Sequence, residues 1–420
     1  MTNQTHDHDF SLQAVPKDYR KGFLSMLAVM LGFTFFSASM WTGGTLGTGL
    51  HIKDFIITVL LGNLILGVYA SLLAYAASKT GLSTHLLARY AFGEKGSYLA
   101  SGILGITQVG WFGVGVAMFA IPVQKITGIN VYTLIFVSGI LMTSTAYFGI
   151  KTLTILSIIA VPSISILGGF SVLKAVETVG GISGLLAIEP KETIALGTAL
   201  TMCVGSFISG GTLTPDFARF SKNKKISVCT TLIAFFIGNS LMFIFGAVGA
   251  AVTGQADISE VMFLQGLILP AIIILGFNIW TTNDNALYAS GLGFSNITKL
   301  PKNKLVIFNG IIGTAGAMFL YNNFVGWLNF LSSFIPAIGG IIIADYYLIN
   351  KGEYEDIKEK SFESINYKAI ATWVIGVVAA RFLPGIAPLN AVLTSLACYV
   401  LLHKLTPAAA DKKKDVSINA

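Results

Sequence analysis

Apolar residues run along this chain in long blocks parted by short polar loops. A bilayer core needs about 20 apolar residues per helix. By that measure twelve spans are predicted, at 22–44, 54–78, 98–122, 131–149, 152–175, 194–213, 227–253, 260–290, 304–321, 324–348, 368–384 and 388–404. Two connectors stand apart. Residues 84–93 read as a short amphipathic helix at the membrane interface, and 176–193 as a loop with an apolar patch of its own. The fold class expected is an all-α integral membrane protein with 12 transmembrane helices.

Two spans are interrupted by glycine and hydroxyl residues at matching places. The first carries Gly32-Phe33-Thr34-Phe35-Phe36-Ser37-Ala38-Ser39-Met40-Trp41-Thr42-Gly43-Gly44-Thr45-Leu46, and the sixth Gly205-Ser206-Phe207-Ile208-Ser209-Gly210-Gly211-Thr212-Leu213. Both end in Gly-Gly-Thr-Leu, with Gly43 and Gly210 standing 167 positions apart. Such interruptions predict discontinuous helices, because unwound backbone survives at membrane depth only where it lines a cavity or binds something. The offset pairs span 1 with span 6. Five spans per half is an odd number, so the second half enters the membrane in the opposite sense, giving a 5+5 inverted repeat plus two C-terminal helices. Chance recurrence of a four-residue string in a Gly- and Leu-rich chain is the competing explanation, against which stand the equivalent span position and the shared Ser and Phe content. The organisation expected is a cytoplasmic tail over 1–20, repeat 1 over 21–175, an extracellular loop over 176–193, repeat 2 over 194–348, spans 11 and 12 within 366–404, and a second cytoplasmic tail over 405–420.

Composition narrows the class further. The chain is 54% hydrophobic and 11% charged, with a mean hydropathy of +0.74, which excludes a soluble globular domain. Its 45 glycines suit membrane helices that approach closely. The net charge of +7 does not point to nucleic acid, because the basic residues sit in short loops. With both termini in the cytoplasm, 22 of the 27 Lys and Arg fall inside, and only Lys53, Lys125, Lys174, Lys191 and Arg381 fall outside, as the positive-inside rule requires. Cys203, Cys229 and Cys398 lie in apolar segments without metal-site spacing and read as small packing residues. The first sixteen residues show no signal-peptide pattern, so targeting is expected from the first span.

Three spans carry polar groups at depth. In span 3, Gln108 and Trp111 are three apart and share a helix face, with Gly110 and Gly113 leaving room beside them. An amide beside a flat ring suits a planar, hydrogen-bonding solute; interhelical bonding and packing would use the same residues. In span 6, Ser206, Phe207 and Ser209 sit at the expected break, where freed backbone groups add donors and acceptors, and Phe207 offers a wall opposite Trp111. In span 8, Asn278, Thr281 and Thr282 stand at i, i+3 and i+4 on one face. Hard cations such as Na⁺ want oxygen ligands, and the carbonyls of Gly32 and Phe35, one turn apart in the first break, are candidates to complete a shell. Ordinary hydrogen bonding between membrane helices remains the alternative. Asn283 lies on another face, free for substrate. Asp284 is an intramembrane carboxylate, readable as a proton-coupling site, a partly hydrated gate or half of a structural pair. Asp216 and Arg219 are expected to form a salt bridge at the cytoplasmic end of span 6, and Asp345-Tyr346-Tyr347 to close span 10 in a similar way. No nucleophile–base or metal constellation is present to suggest an enzyme. A passive facilitator for small polar solutes is the rival class.

Together, Leu87-Ala88-Arg89-Tyr90-Ala91-Phe92-Gly93, the Gln108/Trp111 pair, Gly205-Ser206-Phe207-Ile208-Ser209, Trp280-Thr281-Thr282-Asn283-Asp284-Asn285 and Ile335-Pro336 with Ala344-Asp345-Tyr346 resemble the nucleobase–cation symporter-1 family over nearly the whole chain. The resemblance implies a leucine-transporter-like fold, alternating access, sodium-coupled import across a bacterial inner membrane, and cytosine held between two aromatic rings. Relatives in the family carry other nucleobases or hydantoins. It further implies one Na⁺ bound by the carbonyls of Gly32 and Phe35 with Asn278, Thr281 and Thr282. The substrate contacts implied are Gln108, Trp111, Ser206, Phe207, Ser209 and Asn283. No obligate protein partner is expected.

Overall fold

A computed structural model describes residues 9–190 and 193–405, without the side chains of 324, 325, 328 and 329. The outer parts of both expected tails, and Lys191 of the extracellular loop, lie outside the described residues. Those described form helices and connecting loops, with one isolated backbone bridge between Lys21 and Ser221.

The first apolar block is broken. Helix α1 (Phe23–Thr34) ends at Phe35, whose N–H still reaches the Leu31 carbonyl, and Phe36 is fully extended before α2 (Ser37–Gly49) resumes with its axis turned by 54°. Then come α3 (Ile52–Thr80), α4 (Thr84–Phe92), α5 (Ser97–Thr127), α6 (Val131–Tyr147), α7 (Ile150–Thr178) and the short α8 (Ile182–Leu186). Helix α4 is capped by the Ser83 hydroxyl and stopped by Gly93 at φ +81°. Seven of its nine residues are buried, leaving Arg89 and Tyr90 half-exposed, and it is wedged beneath the bundle.

The sixth block differs from expectation. Helix α9 (Leu196–Ala218) runs unbroken through Gly205–Ser209 and past Pro215. Its polar residues satisfy themselves within the helix: Ser206 donates to the Cys203 carbonyl at 2.9 Å and Thr212 to Ile208 at 2.9 Å, as hydroxyls do when nothing draws them away. Its glycines serve close approach instead. A Cβ on Gly205 would stand 2.7 Å from the Ser332 hydroxyl, and one on Gly210 2.3 Å from the Phe207 ring.

The remaining helices are α10 (Lys224–Leu232) and α11 (Ser240–Thr253), joined by a π-helical turn Ile233–Asn239, then α12 (Ile258–Leu264) and the 31-residue α13 (Ile268–Thr298). They are followed by α14 (Lys302–Ala315), α15 (Ala317–Asn322), α16 (Phe324–Phe334), α17 (Pro336–Ile343) with a π turn Ala344–Ile349, α18 (Tyr367–Phe382) and α19 (Ala387–Leu405). Each of the twelve apolar blocks is helical. Among the described residues, seven helices are long and apolar enough to cross a membrane, eight counting the bent α1–α2 pair. Helices α5 and α13 pack along each other at the centre, with α2 against α11 and α3 against α9. The α2–α11 contact is backbone on backbone: a Cβ on Gly43 would lie 2.3 Å from the Phe243 carbonyl oxygen, and one on Gly246 1.8 Å from that of Met40, the small-residue packing typical of membrane helices.

Candidate substrate and ion site

The break in the first block, α5, α9 and α13 converge on one enclosed cavity. Gln108 and Trp111 reach it from α5, Ser206, Phe207, Ser209 and Gly210 from α9, and Thr282, Asn283 and Ala286 from α13. The structure thus brings together all six residues expected to touch a substrate. Phe33 and Phe36, which spacing alone did not single out, complete the lining. Phe36 stands edge-on to both Trp111 (5.0 Å) and Phe207 (5.8 Å), and Phe33 edge-on to Phe207 (5.2 Å). The signal for them is local: both sit within the phenylalanine-rich run at the break, three residues apart. The volume is about 30 Å³, room for about one water, so a ring is admitted only as these aromatics part. A larger groove of about 630 Å³ between α6 and α14 is almost wholly apolar and has no such polar cluster.

The polar groups of the cavity are unequally engaged. The Trp111 indole N–H donates to the Ser209 hydroxyl at 3.2 Å. The Asn283 amide nitrogen faces the Phe112 carbonyl (3.3 Å) and the Met142 sulfur (3.1 Å). The Gln108 amide nitrogen is buried with no hydrogen-bond partner among the described residues. An unmatched buried donor costs free energy, and at a cavity wall it is a group prepared for a ligand. Gly110 and Gly113, expected to leave room at this face, instead admit neighbours: the Trp327 ring beside Gly110, the Gly313 backbone and Leu320 beside Gly113.

The oxygen groups expected for a cation lie on two elements that are tied together beside the cavity, the end of α1 and α13. The carbonyls of Gly32 and Phe35, at the frayed end of α1, accept no hydrogen bond from the described residues, the usual condition of a helix C-terminus. Two residues on, the Ser37 hydroxyl donates to the Asn278 side-chain oxygen at 2.5 Å, tying the break to α13. The Asn278 amide is turned towards Ser37 and Met242. Its main-chain carbonyl is the oxygen that gathers both threonines, accepting from Thr281 at 3.0 Å and Thr282 at 2.9 Å. Within this set it is therefore the Asn278 carbonyl, and not its side chain, that stands with the two hydroxyls.

Four charged residues singled out in the sequence have the following surroundings. Asp284 is wholly buried: one oxygen accepts from the Thr145 hydroxyl at 2.7 Å, which in turn accepts from the Trp280 indole at 2.8 Å, and the other has no partner among the described residues. The expected salt bridge between Asp216 and Arg219 is not among the ion pairs of the described residues; Arg219 Nε donates instead to the Asp216 main-chain carbonyl at 3.2 Å. Asp216 caps α4 through the Thr84 N–H (2.8 Å) and faces His85 (3.6 Å), while Arg219 turns to main-chain carbonyls and the Tyr288 hydroxyl. Asp345 accepts from the Tyr354 (2.5 Å) and Tyr399 (2.8 Å) hydroxyls and from Asn350 (3.1 Å), joining the last spans to the loop after them. In each case a buried carboxylate takes neutral donors already held by the fold.

Long apolar helices around a small, largely aromatic cavity with a few polar groups are the architecture of a multi-pass membrane permease. Residues 14–402 match the family described as permease for cytosine/purines, uracil, thiamine and allantoin, and the chain belongs to that family, among the nucleobase–cation symporter-1 transporters. It is 59% identical to the cytosine permease of Escherichia coli over 96% of both chains, and 20% identical to the hydantoin permease of Microbacterium maritypicum over 91% of this chain and 85% of that one. In fold it is similar to Mhp1, a nucleobase-cation-symport-1 family transporter, in a closed conformation with bromovinylhydantoin bound (TM-score 0.83, 19% identity, 94% of this chain and 96% of that one). It is also similar to a Na⁺-coupled sialic acid symporter (TM-score 0.72, 12% identity, 96% and 92%).

Proposed function

We propose that the protein imports cytosine together with Na⁺ across a bacterial inner membrane by alternating access. The observation that carries the reading is the central cavity, where aromatic rings from three elements enclose the unmatched Gln108 donor. A planar ring bearing acceptors and an exocyclic amine fits that chemistry, and the Escherichia coli relative is a cytosine permease. Trp111 and Phe207 take the two faces of the ring with Phe36 at its edge, and Gln108, Ser206, Ser209 and Asn283 its polar rim. Na⁺ takes the carbonyls of Gly32, Phe35 and Asn278 with the hydroxyls of Thr281 and Thr282. Thr282 lines the cavity as well, which supports a reading in which ion and ring bind side by side. The sodium reading draws support from the Na⁺-coupled symporter of similar fold.

The membrane arrangement that goes with this reading has twelve crossings, a 5+5 inverted repeat over 21–175 and 194–348, and both termini in the cytoplasm. In proteoliposomes, uptake of labelled cytosine is expected to exceed equilibrium when a sodium gradient points inward, and Thr282→Ala to abolish that accumulation. Uptake indifferent to sodium, or untouched by Thr282→Ala, overturns the coupling; transport that never exceeds equilibrium makes the protein a facilitator. The unpartnered oxygen of Asp284 favours one second reading, proton coupling, under which Asp284→Asn abolishes accumulation and spares exchange.

A further inference from the structure

An aromatic column continues from the cavity towards the cytoplasmic end, from Phe33 to Phe217 (4.7 Å) to Tyr288 (5.7 Å). It stops on a segment of chain from before the first helix. The Arg219 guanidinium donates to the Tyr288 hydroxyl (3.1 Å) and to the carbonyls of Asp9 (2.7 Å) and Phe10 (2.9 Å). The Asp9 carboxylate accepts from the Lys302 ammonium at 2.5 Å and from the Ile150 N–H at 3.2 Å. Arg219 and Lys302 are, at 0% and 1% exposure, as buried as any core residue. Phe10 takes a left-handed φ of +52°, and Gly149 makes room for Asp9: a Cβ there would lie 2.1 Å from the Asp9 carboxylate. The other end of the segment is held elsewhere. Val15 donates to the Gly81 carbonyl, Arg20 to Ser78 and Lys21 to Phe220, at the ends of α3 and α9.

We propose that residues 9–21 are a latch on the cytoplasmic exit, hinged at 15–21, and that Asp9 is the gating residue that must leave Arg219 and Lys302 before a solute passes. The tip sits at the foot of the aromatic column and joins α9 to α7, α13 and α14, which must separate for an exit to open there. Pulling Asp9 away alone would strand two buried cations. The tip therefore leaves only as the helices part and water reaches both basic groups, so that latch release and exit opening are one step between two discrete arrangements. The inference needs the cytoplasmic placement of this end but neither cytosine nor sodium as ligands.

The test uses the full chain in inside-out vesicles, with Cys203, Cys229 and Cys398 replaced and Thr214→Cys introduced on α9, buried between cavity and latch. A membrane-impermeant thiol reagent is applied from the cytoplasmic side. Asp9→Asn is expected to speed labelling by on the order of tenfold, because the latched form then carries Lys302 uncompensated. The exchange Asp9→Lys with Lys302→Asp is expected to restore slow labelling. If Asp9→Asn does not insert, Phe10→Ala, which keeps every charge, is expected to give a smaller increase. Unchanged labelling in the variant that inserts overturns the latch. So does an equal rise at Met118→Cys probed from outside, which would mean general loosening and a merely structural contact. Failure of cytosine uptake with a positive labelling result would overturn the substrate reading and leave the latch standing.

Discussion

Gln108 shows how one side chain separates stability from binding. Its amide nitrogen is buried without a partner, and such a group costs about 1–3 kcal/mol until it is matched. Gln108→Leu is thus expected to leave the thermal midpoint unchanged or raised while weakening cytosine binding by about tenfold or more, read by calorimetry on the same sample. Unchanged affinity would remove Gln108 from the site. Of the six expected substrate contacts, helical spacing puts Gln108 beside Trp111, while Ser206, Phe207 and Ser209 are singled out by a break that α9 does not have and the full set by the family resemblance. Phe36 and Ser37 were not legible, because their roles arise from a backbone bend that carries them across to α5 and α13, and no local period encodes that. The Asn278 case has the same root. Its letter advertises an amide, yet the oxygen standing with Thr281 and Thr282 is one that every residue possesses.

At the scale of helices, the same letters led to two outcomes. Gly, Ser and Phe at matching places do break the first block, at Phe35 and Phe36, but leave α9 continuous. The difference lies in what each glycine meets. On α2, Gly43 and Gly44 press against the backbone of α11 and of Ala256, so α2 is pinned at an angle that α1 cannot follow; on α9 the glycines admit side chains, which a straight helix accommodates. Hydropathy alone could not distinguish these, since it counts apolar residues and not their neighbours. The α2–α11 contact gives a test. Gly246→Ala would drive a methyl to 1.8 Å from the Met40 carbonyl oxygen, an overpacking expected to cost about 1–3 kcal/mol. The midpoint of thermal unfolding in detergent should fall by several degrees, whereas Gly169→Ala, with open space around it, should leave it in place.

At the scale of the whole molecule, buried polar links between distant segments were the least legible part, because Asp216 and Arg219 look like partners in sequence and find others in space. One such link predicts a pH response. Tyr354, in the loop after the π turn, is raised well above its ordinary 10.0 by burial and by the adjacent Asp345 carboxyl. A phenol whose folded pKa is raised contributes stability that is complete below the unfolded value and lost as pH climbs above it. Thermal stability should therefore decline above about pH 10, and Tyr354→Phe, less stable at neutral pH for want of its bond to Asp345, should decline less steeply. If ion and ring bind side by side, Na⁺ and cytosine should each raise the thermal midpoint more in the other's presence, by reciprocal amounts; independent shifts would place them apart.

The ion pair between Asp9 and Lys302 joins residues 293 positions apart, and this separation bears on how the protein is made. Translation proceeds at roughly 5–20 residues per second, so the amino-terminal segment waits on the order of 15–60 seconds for its last partner to be synthesised. Arg219 is made late in that interval and finds the Asp9 and Phe10 carbonyls already present, whereas the Asp9 carboxylate has no cation until Lys302 follows. A ribosome-bound chain arrested before residue 302 should leave residues 9–14 open to protease, and one released beyond α14 should protect them.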